Sequence, residues 1–93
     1  MPIKSFKCKD TKALFDGKRV KRWVNVERPA LRKLAQLDWS EVLEDLKVPP
    51  GSNLEALKAD RKGQHIIRIN DQWRVCFVWT NEGPADVEIV DYH

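Results

Sequence analysis

The stretch Gln64-His65-Ile66-Ile67-Arg68-Ile69-Asn70-Asp71-Gln72-Trp73-Arg74-Val75-Cys76-Phe77-Val78-Trp79 decides the fold. On each side of residues 70–72 the side chains follow a period of two, the signature of paired strands. With residues 70–72 as the loop, Ile69 faces Trp73, Ile67 faces Val75 and His65 faces Phe77, so one apolar face results. A two-residue loop at 71–72 would oppose Ile69 to Arg74 and mix the faces, so the odd-length loop is expected. The same register sets Arg68 directly across from Arg74 on the other face. Like charges so opposed are destabilising. Two readings follow: the guanidiniums reach water or pair with Glu88, or they meet a phosphate.

Downstream of the hairpin, residues 85–91 read as a last strand. Upstream, residues 53–57 read as a short one. Pro49-Pro50-Gly51-Ser52 ends helical structure, and before it the apolar period is 3.6. Ala30, Leu31, Leu34, Ala35 and Leu37 form one stripe of a helix over residues 27–37, with Pro29 in its first turn, where no N–H is needed. Trp39, Val42, Leu43 and Leu46 match a third, short helix, with Asp38 and Glu41 placed as a capping box. Asp10 is the expected N-cap of a helix over residues 11–16 and Gly17 its terminator. Residues 2–8 read as a first strand with Ile3, Phe6 and Cys8 inward. Trp23, Trp39, Trp73 and Trp79 are assigned to the core or to helix contacts, and His65 to the core as a hydrogen-bonded histidine.

A chain of 93 residues is expected to build one core and one domain, residues 1–93. A hydrophobic share of 42% with 33% charged residues fits a soluble domain, and no apolar run approaches the roughly 20 residues of a membrane span. Met1-Pro2-Ile3-Lys4-Ser5-Phe6 lacks the apolar stretch of a secretory signal, so a cytoplasmic location is expected. Cys8 and Cys76 sit in apolar, strand-like stretches and read as buried reduced thiols. Neither stands at a metal-site spacing from His65 or His93, so no metal and no cofactor is expected. Residues 1–47 carry twelve Lys/Arg against seven Asp/Glu, and residues 48–93 five against seven. A basic front half suits a polyanion or an acidic partner, or is simply a solvated helical surface.

Three motifs then stand in order: Leu57-Lys58-Ala59-Asp60-Arg61-Lys62-Gly63, Ile69-Asn70-Asp71-Gln72-Trp73-Arg74-Val75-Cys76-Phe77, and Asp91-Tyr92-His93. Together they resemble the HigB branch of the RelE-like toxins, whose pattern runs Leu-Lys-Gly-Asp-Arg-x-Gly, Asn-x-x-Trp-Arg-Ile-x-Phe and a closing Asp-Tyr-His. The similarity covers nearly the whole chain, and Leu54-Glu55-Ala56-Leu57 makes it especially similar to GraT-like members. The chain departs from many members at Glu55, where they have histidine, and at Ala59, where they have glycine. Glu55 therefore cannot inherit a histidine's role as proton donor at neutral pH or as cationic phosphate contact.

The resemblance implies an α+β fold, with two to three N-terminal helices packed on a twisted, mainly antiparallel sheet whose open face is the RNA site. It implies a toxin that cuts messenger RNA on the ribosome. A helix-turn-helix antitoxin of the HigA type would be its partner, with operator DNA reached only through that antitoxin and no membrane involved. Metal-free cleavage needs an acid/base, fixed cations and something to hold a splayed base. His93 is the acid/base candidate, since histidine alone has an unperturbed pKa near neutrality, and Asp91 would orient it. Arg74 would hold the scissile phosphate, with Lys58 adding charge. Tyr92 would stack on a base. Arg68, Arg61 and Lys62 would touch the RNA backbone. The Lys and Arg residues are otherwise ordinary surface cations, Tyr92 a half-buried aromatic at a strand end, and His93 a frayed chain end. Two other functions stay open: a gyrase-binding toxin of the ParE type, which generally lacks these residues, and a module with decayed chemistry that only binds its antitoxin.

Overall fold

The computed structural model describes residues 1–92, and in it the hairpin adopts the expected register. β2 (Gln64–Arg68) pairs antiparallel with β3 (Trp73–Thr80), with His65 opposite Phe77, Ile67 opposite Val75 and Arg68 opposite Arg74. The Ile69 N–H donates to the Trp73 carbonyl at 2.9 Å and closes the three-residue loop. Within that loop the Asn70 Oδ1 accepts from the N–H groups of Gln72 and Trp73 at 2.9 and 2.7 Å, a turn that asparagine side chains favour. β1 (Glu55–Ala56), shorter than the expected 53–57, flanks β2. β4 (Gly83–Asp91) flanks β3, so the antiparallel sheet runs β1-β2-β3-β4.

β4 carries one extra residue between two matched pairs. Cys76 faces Glu88 and Val78 faces Ala85, and Asp86 stands at a φ of 51°. Such a bulge changes which face later side chains meet; here it turns Val87 and Ile89 into the core.

The N-terminal segment runs parallel to β4 and not as a full strand. Phe6 bridges Val87, and the N–H groups of Lys4 and Lys7 donate to the carbonyls of Pro84 and Val87 at 2.7 and 3.0 Å. Where this segment crosses the β3–β4 turn, a Cβ on Gly83 would lie 2.6 Å from the Pro2 carbonyl oxygen, so only glycine fits.

α1 (Lys9–Phe15) starts earlier than expected, with Cys8 and not Asp10 at the cap; Asp10 lies in the first turn, where its charge suits the helix dipole. Gly17, at a φ of 91°, ends it as expected: the N–H groups of Gly17 and Lys18 return to the carbonyls of Leu14 and Ala13. A 3₁₀ turn over Lys21–Val26 leads into α2 (Glu27–Trp39), with Pro29 in the first turn. Ala30, Leu34 and Leu37 of α2 are buried against the sheet.

The expected third helix does not form. α2 runs through Trp39 and stops because Ser40 adopts an extended ψ of 142°; residues 43–47 make only a 3₁₀ turn. The Asp38 carboxylate, expected to cap that helix, instead accepts from the Ile3 N–H at 2.8 Å. Asp45 folds back to accept from the N–H groups of Glu41 and Val42.

The core lies between the two helices and one face of the sheet, with Trp23, Leu34, Phe77 and Val87 fully buried. Burial of each such side chain stabilises by about 1.5–3 kcal/mol. Trp73 packs its edge on Trp23 at 6.1 Å, and Trp79 packs against the same cluster. Trp39 departs from its assignment: it is 78% exposed. His65 stacks on Phe77 with ring centroids 6.0 Å apart, yet its Nδ1 is buried without a hydrogen-bond partner, so it is a packed but unsatisfied histidine. Among the described residues, no helix is long and apolar enough to cross a membrane.

Candidate nucleic-acid interface

With Ile67, Val75 and Ile89 in the core, alternation turns their neighbours to the helix-free face. Paired positions share a face, so the register builds two rows there. Arg68, Arg74 and Val90 form one; Glu55, Ile66, Cys76 and Glu88 form the next. Ile66 and Cys76 are buried although they lie outside the helix-side core. Leu57 and Arg61, from the segment after β1, line a cleft together with Ile66.

Arg74 is the centre of this face. Its guanidinium carbon lies 4.7 Å from the centroid of the Tyr92 ring, a cation–π contact. Its Nη1 donates to the carbonyls of Asn70 and Trp73. Tyr92 is in turn held by the hairpin loop, its N–H donating to the Gln72 carbonyl at 2.6 Å. The Gln72 Nε2 donates to Asp91 Oδ2 at 3.1 Å. Loop residues 70–72 thus fix Arg74, Asp91 and Tyr92 in one place. His93, the expected acid/base, lies outside the described residues.

Two clefts flank the Arg74–Tyr92 pair. One, of about 210 Å³, is lined by Leu57, Arg61, Ile66, Val90, Asp91 and Tyr92. The other, of about 360 Å³, is lined by Asn53, Leu54, Glu55 and Arg74. The larger groove of about 700 Å³ lies elsewhere, against α2. An apolar floor, an aromatic wall and two guanidiniums suit a single-stranded polyanion whose bases turn inward.

The two arginines of the cross-strand pair relieve their repulsion separately. Arg68 pairs with Asp71, while Arg74 is occupied by Tyr92 and the loop carbonyls. Glu88, expected as their alternative partner, instead lies 3.6 Å from the Lys7 Nζ and 3.9 Å from the Arg61 Nη1. Arg68→Ala is therefore expected to change stability by under about 1 kcal/mol, the range of an exposed ion pair. Thermal melts would check this; a larger loss of stability would make Arg68 a structural residue.

Arg61 is held by its neighbours. Its Nη1 donates to Gln64 Oε1 at 3.1 Å and to Cys76 Sγ at 3.4 Å, and the Cys76 thiol donates to Gln64 at 2.8 Å. Burial pushes the Cys76 thiol above its usual pKa, against the opposing charge of Arg61, so it is a packing group and no nucleophile. For Cys8, partial burial alone would raise the pKa, but hydrogen bonds from Thr11 and Asp10 and the Arg22 charge bring it below the usual value. Cys8 is half-buried, not buried, and both thiols are free.

Lys58 and Lys62 are exposed at the two ends of the 3₁₀ turn Ala59–Arg61. Neither lines the clefts. Ala59 has a φ of 58°, a left-handed conformation that costs an ordinary residue about 1–2 kcal/mol. That is the position where many of the resembling toxins carry glycine, so this chain keeps the turn at the expense of strain. Glu55 faces the same cleft as Arg74 and gives it a carboxylate wall. The roles of Asn70, Gln72 and Gln64 as supports were not foreseen; only the turn-forming character of Asn70 could have signalled one of them.

Residues 4–93 match the family described as RelE-like toxin of type II toxin-antitoxin system HigB. The chain belongs to the HigB family of RelE-like toxins. Toxin HigB-1 of Vibrio cholerae is 38% identical over 69 residues, which span 74% of this chain and 72% of that one. An uncharacterized protein of Haemophilus influenzae is 33% identical over 57 residues, 61% of this chain and 56% of its own length. As a type II toxin of the HigB family, the protein has a cognate antitoxin as its partner.

Proposed function

We propose that this HigB-family toxin is an endoribonuclease that cuts messenger RNA on the ribosome and so inhibits translation. The observation that carries the reading is the Arg74 guanidinium fixed against Tyr92 between two clefts of the open face. In the proposed reaction the 2′-hydroxyl loses its proton and attacks phosphorus. Charge builds on the non-bridging oxygens, and the 5′-oxygen leaves as it gains a proton. Arg74 holds the phosphate, with its planar fork matched to two oxygens, and Lys58 adds charge. Tyr92 stacks on a base and Asp91 orients His93, which moves the protons. Arg68, Arg61 and Lys62 steady the RNA backbone.

In the proposed mechanism no metal ion takes part: proton transfer falls to His93, and Arg74 and Lys58 stabilise the phosphate charge. The toxin works in the cytoplasm as one domain, and its antitoxin is a HigA-like helix-turn-helix protein that carries it to operator DNA.

The chain supplies few proton-transfer groups, so substrate positioning must come from outside the protein. Messenger on programmed ribosomes should therefore be cut at least a hundredfold faster than the same RNA free in solution. EDTA should leave the rate unchanged where sedimentation shows intact ribosomes. Equal rates on free and bound RNA, or loss restored by one divalent ion, would refute the respective part. Inhibition of gyrase supercoiling without RNA cleavage would replace the reading altogether.

A further inference from the structure

The large exposed hydrophobic residues of this chain include Trp39, Val42 and Val48, at 78, 51 and 68% exposure. Trp39 and Val48 both line the groove of about 700 Å³ beside α2. This groove is away from the candidate RNA face, since α2 covers the opposite side of the sheet. Arg28, Arg32, Ala35 and Trp39 stand at i, i+4, i+7 and i+11, one outward stripe of the helix. The segment that carries Val48 is tied to α2: Gln36 donates to the Val48 carbonyl and Lys33 to the Ser52 hydroxyl. These bonds lower the cost of ordering the groove around a ligand.

We propose that this groove is the docking site for the cognate antitoxin, which inserts an apolar side chain beside Trp39 and sets carboxylates against Arg32 and Lys33. The inference rests on the toxin–antitoxin reading above and names the surface that serves it. Exposed apolar patches ringed by polar groups mark interaction sites, and tryptophan and arginine are the residues that most often anchor them. The charge of the rim selects an acidic occupant. Burial and the adjacent Arg32 charge lower the Lys33 pKa, so an incoming carboxylate would relieve an unfavourable position. Asp45, the acidic group of the lining, already spends its carboxylate on the N–H groups of Glu41 and Val42.

The test titrates the purified cognate antitoxin onto the full toxin and its variants. Trp39→Ala should weaken binding at least tenfold and Trp39→Glu at least a hundredfold. Val48→Asp, at another residue of the groove lining, guards against a folding defect in either. Arg32→Gln should weaken binding and flatten its salt dependence. Thermal midpoints should stay within a few degrees of wild type, because Trp39 makes little of the core. Wild-type affinity in both Trp39→Glu and Val48→Asp would overturn the assignment. So would unchanged antitoxin binding with lost ribosome-dependent cleavage, which gives the groove to the ribosome. A wild-type toxin dimer that Trp39→Glu dissociates, with antitoxin binding unchanged, would give it to a second copy. Failure of wild-type toxin to bind the antitoxin would instead refute the partner and not the surface.

Discussion

Arg74→Ala should slow the single-turnover cleavage of ribosome-bound messenger by roughly a hundredfold to a thousandfold, the usual effect of removing one preorganised donor to a developing oxyanion. In the proposed mechanism the guanidinium's fork meets phosphate oxygens whose charge grows in the transition state, so the loss should fall on the rate constant at saturating toxin. The fold should survive. Arg74 packs on Tyr92 and donates to two loop carbonyls; bonds from a charged donor are worth about 1.5–3 kcal/mol each, so the melting temperature should fall while the domain stays folded. Arg74→Lys separates charge from shape: lysine keeps the cation but loses the bidentate fork and the flat stacking surface. It should recover a minor part of the rate. A variant with wild-type cleavage would remove the phosphate role, and an unfolded Arg74→Ala would make the residue structural.

How legible this arrangement was in the sequence depended on whether a residue's fate was local. The hairpin register could be read because one loop length alone leaves Ile67, Ile69, Trp73 and Val75 on a common face. From that register the Arg68–Arg74 opposition follows, and a cross-strand pair of like charges marks a candidate site. Trp39 was misassigned for the same kind of reason. Its spacing to Val42, Leu43 and Leu46 matches a helix, but a period carries no information on where the chain stops being helical. Ser40 leaves the helix at once, and Trp39 stays on the outside.

The supports of the site were hidden by long-range pairing. Gln72 reaches Asp91, nineteen positions away, and the Tyr92 N–H reaches the Gln72 carbonyl. Both contacts need the end of β4 in register with the start of β3, and the extra residue around Asp86 sets that register. No alternation pattern reveals a bulge whose flanking residues, Ala85 and Val87, are both apolar. Glu88 was legible as a residue of the open face but not as a partner of Lys7, since the N-terminal segment joins β4 in parallel through only Phe6 and its neighbours.

His93→Gln should slow the chemical step by roughly a hundredfold to ten-thousandfold, the usual worth of a positioned acid/base. Glutamine keeps a hydrogen-bonding group of similar reach but cannot gain or lose a proton near neutrality, so the change isolates proton transfer from packing. Removal of His93 should give a loss of the same size. Stability should not change in either variant. The wild-type single-turnover rate should vary with pH through the range in which an imidazole titrates, and that variation should shrink in His93→Gln. Asp91 gives a second handle on the same group. If its carboxylate orients His93, Asp91→Asn should lower the rate and shift the pH profile together, while a merely structural Asp91 would lower stability and leave the profile in place. Toxin must saturate the ribosomes in each assay, so that weaker binding does not pass for slower chemistry. Full activity in His93→Gln would take the proton transfers away from His93 and leave them to Tyr92, Lys58 and Glu55, of which Glu55 already faces the cleft beside Arg74.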